Sequence, residues 1–482
     1  MSHQLFDLVV IGSGPAGQKA ALNAAKLGRR VALIERVNQV GGVCIHTGTI
    51  PSKAIREAVL HLTGLRERQV YGDSYVVKHD ITIQDLLYRA QHVIRTEVDV
   101  IRSQMSRNGV TTFFGHASFV DPHTVHVEAG DNSADLKGQH ILIAVGTEPA
   151  RPQNVPFTRG RVIDSNELLD LAALPRSIII VGGGVIGTEY ACMLAAVGLR
   201  VTLVESRPQL LEFIDHELGE SLQFRMRDMG IRLRLGESVA KIENVDQHVE
   251  AALASKKVLK ADALLYCIGR QGATAKLNLA AAGLSADSRG RMKVNEFFQT
   301  DVPHIYAAGD VIGFPALAAT SMEQGRLASA HMFHQIAGSM SPFFPYGIYS
   351  IPEISMLGAT EQSLTEQGIP YEVGIARYRE IARGQLIADP HGLLKLLFHP
   401  DSRRLLGVHT IGTGATELIH IGQAVLTAGM PIDYFIETIF NYPTLAECYK
   451  VAALDGINRL RGSQDVKVDA TPAVEQTETK AA

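Results

Sequence analysis

Apolar residues follow two different patterns within the first 35 positions of the chain. Positions 8–11 form an uninterrupted apolar run, and positions 31–34 form a second one. Between them, Ala20, Ala24 and Leu27 recur at the spacing of one helix face. Continuous apolar runs are typical of strands that are buried on both sides of a parallel sheet. The pattern therefore predicts a strand–helix–strand unit at the start of the chain.

The turn between this first strand and its helix is rich in glycine. It carries Gly12, Gly14 and Gly17, and the second strand ends in Glu35. Gly12 permits a tight turn, Gly14 lets the backbone approach a pyrophosphate, and Gly17 lets the helix pack on the strand. The helix N-terminus offers N–H groups to the phosphates, and Glu35 stands where a carboxylate accepts hydrogen bonds from a ribose diol. The segment has every part of a dinucleotide-binding fingerprint.

The same unit occurs a second time in the middle of the chain. Another apolar run precedes Gly182, Gly184 and Gly187, and the strand after the next helix ends in Glu205. In both copies the acid follows the first glycine by 23 positions. Two fingerprints with equal spacing predict that the protein holds two dinucleotides at once.

Composition narrows the class of protein without naming a reaction. The 482 residues fit two to four domains, and a net charge of −4 gives no reason to expect nucleic acid or an anionic membrane as partner. The start of the chain has no basic segment followed by a separate apolar one, so we expect a cytoplasmic protein. The four cysteines are widely spaced, with no metal-binding pairs, and no metal is expected.

One further motif, at residues 41–53, reads Gly-Gly-Val-Cys-Ile-His-Thr-Gly-Thr-Ile-Pro-Ser-Lys. It is similar to the redox loop of the flavoprotein disulfide reductases, the two-dinucleotide-binding family of lipoamide dehydrogenase, glutathione reductase and mercuric reductase. In that family two cysteines form a disulfide over the flavin; here Cys44 occupies the first position and Thr49 the second. A threonine hydroxyl cannot form a disulfide or a thiolate charge-transfer pair. The resemblance covers about residues 5–462 and implies FAD on the first fingerprint and a nicotinamide nucleotide on the second.

The resemblance also assigns roles to single residues. Lys53 and Glu189 match family positions that form an ion pair beside flavin N5, and with Thr49 they are the candidate catalytic residues. A cation there favours the anionic reduced flavin. Asp310 matches the aspartate that takes a ribityl hydroxyl, and Tyr190 an aromatic gate over the flavin. The other cofactor-binding candidates are Arg36, Gly42, Cys44, Gly115, Gly146 and Gly269.

Plainer interpretations of these residues stay open at this point. Lys53 and Glu189 are also explained as solvated helix charges, Asp310 as a helix-capping or turn acid, and Tyr190 as ordinary helix packing.

Two motifs, at residues 143–149 and 267–270, match the strands and turns at the exits of the family's two nucleotide-binding domains.

A second departure from the disulfide reductases lies near the C-terminus. Those enzymes carry a His-Pro-Thr-x-x-Glu motif whose histidine is the acid–base partner of the thiols. Here Tyr442 occupies the histidine position, while Glu447 remains. A phenol is a poor base at neutral pH. Thiol and base are missing together, and this combination resembles the family members that exchange hydride between NADPH and NAD⁺. It implies a reversible ping-pong reaction through bound FAD without a redox disulfide.

Such a reaction requires one nicotinamide site that accepts both NAD(H) and NADP(H). Glu205 suits a free ribose diol, whereas a 2′-phosphate would meet a like charge. Arg207, two residues later, offers a bidentate contact to that phosphate. The alternative for Arg207 is a solvent-facing loop cation before a proline.

The expected fold is α/β, with two Rossmann-like dinucleotide-binding domains and a C-terminal α+β dimerisation domain. The FAD-binding domain should occupy residues 1–150 and 272–342, the NAD(P)-binding domain 151–271, and the dimerisation domain 343–461. Residues 55–65 and 82–106 are predicted helices, and 462–482 a disordered tail. The family implies a homodimer or a larger homo-oligomer.

Two other functions share most of these motifs. One is a FAD-dependent NAD(P)H reductase that delivers electrons to a quinone, a dye or oxygen; turnover without a second nucleotide would identify it. The other is a non-catalytic sensor or scaffold that binds FAD and NAD. Intact Lys53, Glu189 and Asp310 argue against the non-catalytic alternative.

Overall fold

A computed structural model describes residues 4–65, 67–130, 132–336 and 338–465 of the chain. One unit consists of the residues up to Leu211 together with Gln223–Pro342, and the other of Glu212–Leu222 with the chain from Phe343 onward. No helix in these described ranges is long and apolar enough to cross a membrane.

The strands and helices are numbered in chain order. The strands are β1 (Gln4–Ile11), β2 (Val31–Glu35), β3 (Thr111–Phe114), β4 (His116–Asp121), β5 (Thr124–Ala129), β6 (Asn132–Ile143), β7 (Thr147–Pro149), β8 (Val162–Ile163), β9 (Ser177–Val181), β10 (Arg200–Glu205), β11 (Arg232–Leu235), β12 (Val239–Val245), β13 (His248–Leu253), β14 (Val258–Ala261), β15 (Ala263–Tyr266), β16 (Arg270–Gly272), β17 (Ile305–Ala307), β18 (Tyr346–Ile348), β19 (Ile354–Gly358), β20 (Glu372–Arg377), β21 (Leu393–Phe398) and β22 (Leu405–Ile411). The α-helices are α1 (Pro15–Lys26), α2 (Gly42–His46), α3 (Thr49–Thr63), α4 (Glu67–Tyr71), α5 (Ile83–Arg107), α6 (Val185–Ala196), α7 (His216–Asp228), α8 (Ala318–Met332), α9 (Glu361–Glu366), α10 (Ala382–Leu386), α11 (Ala415–Thr427), α12 (Asp433–Glu437) and α13 (Glu447–Asp465).

The first sheet has the strand order β3-β2-β1-β6-β5-β4, and β17 also pairs with β6. Its central strands are parallel: Val9 of β1 pairs with Ala32 of β2 on one side and with Ile141 of β6 on the other. All three residues are fully buried, as expected for apolar runs covered on both faces. The glycine-rich turn after β1 therefore lies at the carboxyl edge of a parallel sheet, where nucleotides bind in such folds.

The second sheet repeats this construction around the second fingerprint. Its order is β11-β10-β9-β15-β8, and β9 runs parallel to both β10 and β15. Smaller antiparallel sheets flank it, formed by β12-β13-β14 and by the pair β7–β16. The predicted α/β class with two dinucleotide-binding units is confirmed.

The other unit is built on an antiparallel sheet of order β18-β19-β22-β21-β20. Its core contains large buried side chains, including Tyr378, Phe398, Phe435 and Tyr449. The hydroxyl of Tyr449 donates to the carbonyl of Leu418 at 2.9 Å, so this buried polar group is satisfied. The sheet and its helices thus form a separate core with mixed α and β elements.

A buried lysine ties a segment of earlier sequence into this second unit. The fully buried Lys395 Nζ donates to Asp215 at 2.9 Å and to Glu217 at 3.0 Å, and it also contacts Glu361. Three carboxylates compensate the buried ammonium, as a charge in the interior requires. The ammonium lies among the three acids, where a cation would otherwise be needed. The cluster anchors residues 212–222 to the C-terminal sheet.

The predicted tail starts too early. Helix α13 continues to Asp465, so residues 462–465 are helical, whereas residues 466–482 lie outside the described ranges. A glycine in a helix costs only about 1 kcal/mol relative to alanine. Adding residues to an existing helix avoids the unfavourable nucleation step. Gly462 therefore does not end α13.

Helix packing in the first unit depends on close backbone approach. A Cβ atom added at Gly325 of α8 would lie 2.0 Å from the carbonyl oxygen of Ala16 in α1. We expect Gly325→Ala to lower the thermal unfolding midpoint, because neither backbone can yield easily; such overpacking costs about 1–3 kcal/mol. Circular dichroism of the helical signal measures this midpoint.

Gly338→Ala is the matched control for that substitution. Gly338 is exposed, and its added methyl would meet nothing within 4 Å. The control should unfold at the temperature of the unaltered protein. Equal midpoints for the two alanine variants would contradict the packing argument.

Candidate functional site

The glycine turn after β1 and the acid at the end of β2 are hydrogen-bonded to each other. Glu35 Oε2 accepts from the Ser13 hydroxyl at 2.6 Å and from the Ser13 N–H at 3.2 Å. Glu35 Oε1 accepts from the Val37 N–H at 3.1 Å. The Ser13 hydroxyl also accepts from the Gly41 N–H at 2.9 Å. One serine thus joins the turn, the acid and the loop that carries Cys44.

A cavity opens at this turn, and most of the residues predicted to bind FAD line it. These residues are Gly12, Gly14, Glu35, Arg36, Gly42, Cys44, Thr49, Gly115, Gly146 and Asp310. Gly17 is placed differently: its Cβ position lies 1.9 Å from the Gly12 carbonyl oxygen, at the contact between helix and turn. The structure therefore brings together residues from six separate stretches of the chain.

The shape and charge of this cavity fit a dinucleotide. A Cβ atom at Gly14 would meet nothing within 4 Å, so the backbone is open to an approaching group. Helix α1 begins at the cavity and has no acidic residue in its first turn. Its N–H groups and dipole favour an anion. These features match the pyrophosphate of FAD, while Glu35 and Asp310 supply acceptors for hydroxyl groups.

Cys44 and Thr49 face each other at one end of the cavity. Burial raises the pKa of the Cys44 thiol, and a hydrogen bond with Thr49 opposes the shift only in part. The thiol is therefore protonated at neutral pH and is a weak nucleophile. All four cysteines of the chain are described, and none of them forms a disulfide. The loop has the form of a redox loop without its chemistry.

Lys53 and Glu189 form a close ion pair. Lys53 Nζ lies 3.0 Å from Glu189 Oε1 and 2.8 Å from Oε2. Glu189 is buried on α6, and Lys53, on α3, is only partly exposed. The pair joins the helix that follows the Cys44 loop to the helix of the second fingerprint. Solvated helix charges, the plainer interpretation of these two residues, do not describe this arrangement.

Asp310 is held by side-chain hydroxyls on both of its oxygens. Oδ2 lies 3.4 Å from Thr147 Oγ1, and Oδ1 lies 3.4 Å from Ser321 Oγ. Thr147 Oγ1 in turn accepts from Arg270 Nε at 2.8 Å. The carboxylate lines the cavity, so it can accept a further hydroxyl there.

Sequence reasoning did not single out Ser13, Thr147, Ser321 or Arg270. Thr147 and Arg270 do stand within the two motifs at 143–149 and 267–270, which gave the available signal. Ser13 is the variable position inside the glycine fingerprint, and its contact with Glu35 spans 22 positions. Such partners become visible only when the sheet brings distant turns together.

In the second fingerprint, Glu205 and Arg207 bind each other. The Arg207 Nε and backbone N–H donate to Glu205 Oε1 at 3.0 and 2.9 Å, and Nη2 donates to Oε2 at 3.3 Å. The Gly183 N–H donates to Oε2 at 2.6 Å. Burial opposes ionisation, but these hydrogen bonds and the guanidinium charge outweigh it and lower the pKa of Glu205 to about 2. Glu205 is therefore an anion at any physiological pH.

The other predicted residues of the nicotinamide site lie around the same unit. Gly182 adopts φ +109°, and a Cβ at Gly187 would lie 1.9 Å from the Gly182 carbonyl oxygen. Gly184 is open, as Gly14 is, and Gly269 forms a left-handed turn after β15. Tyr190 is buried in α6, and its desolvation raises the pKa of the phenol. Tyr190 does not line the FAD-side cavity, so its gating role stays a prediction.

Comparison with known proteins agrees with the fold and with the sequence resemblance. The family model described as "Pyridine nucleotide-disulphide oxidoreductase" matches residues 6–325. The model of that family's dimerisation domain matches residues 344–453. Among solved structures, the HOCl-induced flavoprotein disulfide reductase RclA from Escherichia coli superposes with a TM-score of 0.84 at 28% identity, covering 93% of this chain and 99% of that one.

Curated relatives are similar over nearly the full length. A protein named soluble pyridine nucleotide transhydrogenase from Mycobacterium bovis (strain BCG / Pasteur) is 54% identical over 458 residues, or 95% of this chain and 98% of the relative. A protein of the same name from Colwellia psychrerythraea is 45% identical over 460 residues, or 94% and 98%. The predicted kinship is confirmed. The chain belongs to the pyridine nucleotide-disulphide oxidoreductase family.

Proposed function

We propose that this protein is a FAD-dependent pyridine nucleotide transhydrogenase, which catalyses NADPH + NAD⁺ = NADP⁺ + NADH in both directions. The observation that carries the proposal is the pairing of Thr49 with a protonated Cys44 thiol beside an intact Lys53–Glu189 ion pair. The machinery for hydride transfer is present, and the dithiol that would pass electrons onward is absent. The relatives named above carry the same activity in their names.

FAD held by the residues that line this cavity would supply the chemistry of hydride transfer between the two nicotinamide nucleotides. With FAD in the cavity, Lys53 would supply a positive charge beside the flavin, as the family resemblance implies, and this charge would stabilise the negative charge that hydride transfer produces. Glu189 is buried and contacts the lysine through both oxygens, so it fixes the position of the ammonium group. No proton has to reach a thiol, so the absence of a histidine at position 442 is no obstacle. We therefore propose that the two nicotinamide nucleotides bind in turn at one site and exchange the hydride by a ping-pong sequence.

The Glu205–Arg207 pair is the proposed reason that one site accepts both nucleotides. With a pKa of about 2, Glu205 cannot avoid a 2′-phosphate by taking up a proton. Arg207 already neutralises it and is 44% exposed, so its guanidinium can be reached by an incoming phosphate. When the ribose carries a free diol, Glu205 accepts its hydroxyls. The acid thus serves NAD(H), and the arginine serves NADP(H).

We further propose a cytoplasmic homodimer joined through the C-terminal unit. The dimerisation-domain match over residues 344–453 supports this assembly. Tyr442 and Ile439 are strongly exposed on this unit, at 69% and 93%. Large apolar side chains in such positions are typical of surfaces that a second subunit covers.

Anaerobic titration followed by visible flavin absorbance tests the proposed reaction. NADPH should bleach the flavin, and excess NAD⁺ should restore its absorbance while NADH forms. Bleaching without recovery would contradict the transhydrogenase and indicate a quinone, a dye or oxygen as acceptor. No bleaching with NADPH or with NADH would indicate a non-catalytic binding protein.

Arg207→Gln should separate the two nucleotides. Loss of a charged hydrogen bond to phosphate costs about 1.5–3 kcal/mol, so kcat/KM for NADPH should fall about ten- to a hundredfold, with a smaller change for NADH. Lys241→Gln removes one positive charge from an exposed strand position that pairs with Glu243. This control should change neither value, and an equal loss for both nucleotides in Arg207→Gln would contradict the assignment.

Thr49→Cys alone should not produce a disulfide reductase. The substitution restores the second thiol of the loop, but Tyr442 cannot act as the base of the dithiol cycle. We expect no lipoamide or glutathione-disulfide reduction above the level of a Thr49→Ser control. Robust turnover by the single cysteine variant would show that the missing base is not limiting.

A further inference from the structure

We propose that Arg270 is a positioning residue for the flavin-side carboxylate Asp310, acting through the hydroxyl of Thr147. The inference rests on the proposed function in one respect, namely that the cavity beside Asp310 holds FAD. Arg270 itself does not line this cavity, whereas Thr147 and Asp310 both do.

Two hydrogen bonds lock Arg270 onto a single residue. Its Nε donates to Thr147 Oγ1 at 2.8 Å, and its Nη2 donates to the Thr147 carbonyl oxygen at 2.8 Å. The two residues lie on paired strands, since Gly272 of β16 is opposite Thr147 of β7. Within the described chain the guanidinium forms no ion pair with a carboxylate. Both of these hydrogen bonds of the half-buried arginine go to Thr147, while three carboxylates act on it through space, those of Asp310, Asp164 and Glu148.

The direction of the hydrogen bonds indicates what this arginine does. A guanidinium has donors and no acceptor, so Thr147 Oγ1 must be the acceptor in its bond with Arg270. The Thr147 proton is then free to point elsewhere, and Asp310 Oδ2 lies 3.4 Å away. A carboxylate can only accept, so the threonine donates to it. Arg270, Thr147 and Asp310 form a chain in which every proton has a fixed direction.

This chain determines where the free lone pairs of Asp310 point. Thr147 occupies one oxygen and Ser321 the other, so rotation of the carboxyl group is restrained from both sides. The remaining lone pairs face the cavity and are available to a cofactor hydroxyl. Burying the charged guanidinium of Arg270 without hydrogen-bond acceptors would be unfavourable, and desolvation lowers the pKa of Arg270. The two Thr147 oxygens offset this cost.

Arg270→Met and Thr147→Val test the chain in purified holoenzyme. Each substitution introduces an apolar side chain of similar volume and removes one hydrogen-bonding side chain from the chain Arg270–Thr147–Asp310. The dissociation constant for FAD is measured by the fluorescence of flavin released on dilution, and visible circular dichroism reports the environment of the bound flavin. Each variant should weaken FAD binding about tenfold, the effect of about 1.4 kcal/mol, and should alter the dichroism spectrum.

A double variant and a matched control make the test specific. Because both changes break the same chain, Arg270→Met combined with Thr147→Val should lose no more affinity than the more affected single variant. Arg289→Met removes an exposed arginine from the same part of the chain and should leave FAD binding and the spectrum unchanged. If Arg270→Met does not fold, Arg270→Gln takes its place in both measurements.

Unchanged FAD affinity and spectrum in Thr147→Val, or additive losses in the double variant, would overturn the proposal. Both readouts are independent of turnover. A protein that fails the NADPH and NAD⁺ titration yet shows these flavin effects would lose the proposed function and keep the role of Arg270. The opposite pair of results would keep the function and remove the positioning role.

Discussion

The fold depends on two places where backbone meets backbone with no room for a side chain. In each fingerprint the last glycine approaches the carbonyl of the first so closely that a Cβ would lie 1.9 Å from its oxygen. This contact seats each helix on its strand and aims the helix N-terminus at the open glycine between them, Gly14 or Gly184. Without it the turn would be wider, and neither the phosphate site nor the acid beyond the next strand would be in place.

On this scaffold, the replacement of one cysteine by threonine is enough to remove the thiol chemistry of the disulfide reductases. Thr49 forms a hydrogen bond with Cys44, but it lacks the sulfur that a disulfide requires. The Lys53–Glu189 pair is still formed, because Lys53 lies about one turn after Thr49 on α3 and contacts Glu189 of α6. Electron transfer to a thiol substrate can therefore be lost while hydride transfer remains. Tyr442, at the position of the histidine that serves the thiols in the disulfide reductases, is consistent with the same loss of thiol chemistry.

The sequence was sufficient to predict features that are encoded locally. Apolar runs, glycine spacing and the acid 23 positions later identify both nucleotide-binding units, because each is built from consecutive residues. Contacts across the fold could not be predicted in this way: Arg270 meets Thr147 over 123 positions, and Lys395 meets Asp215 over 180. The end of α13 was also missed, because the composition after residue 461 predicts disorder, although an established helix can be extended by a few residues.

The two fingerprints use the same acid in different surroundings, and this difference matches their different tasks. Glu35 is tied to neutral donors, the Ser13 hydroxyl and backbone N–H groups, and its cavity is lined by residues from distant parts of the chain. Glu205 is tied to the charged and exposed Arg207. A neutral cage suits a cofactor that stays bound with one ribose chemistry. A charged, partly exposed partner suits a site that must release one nucleotide and accept another that differs by a phosphate, because the arginine can contact that phosphate while Glu205 remains ionised.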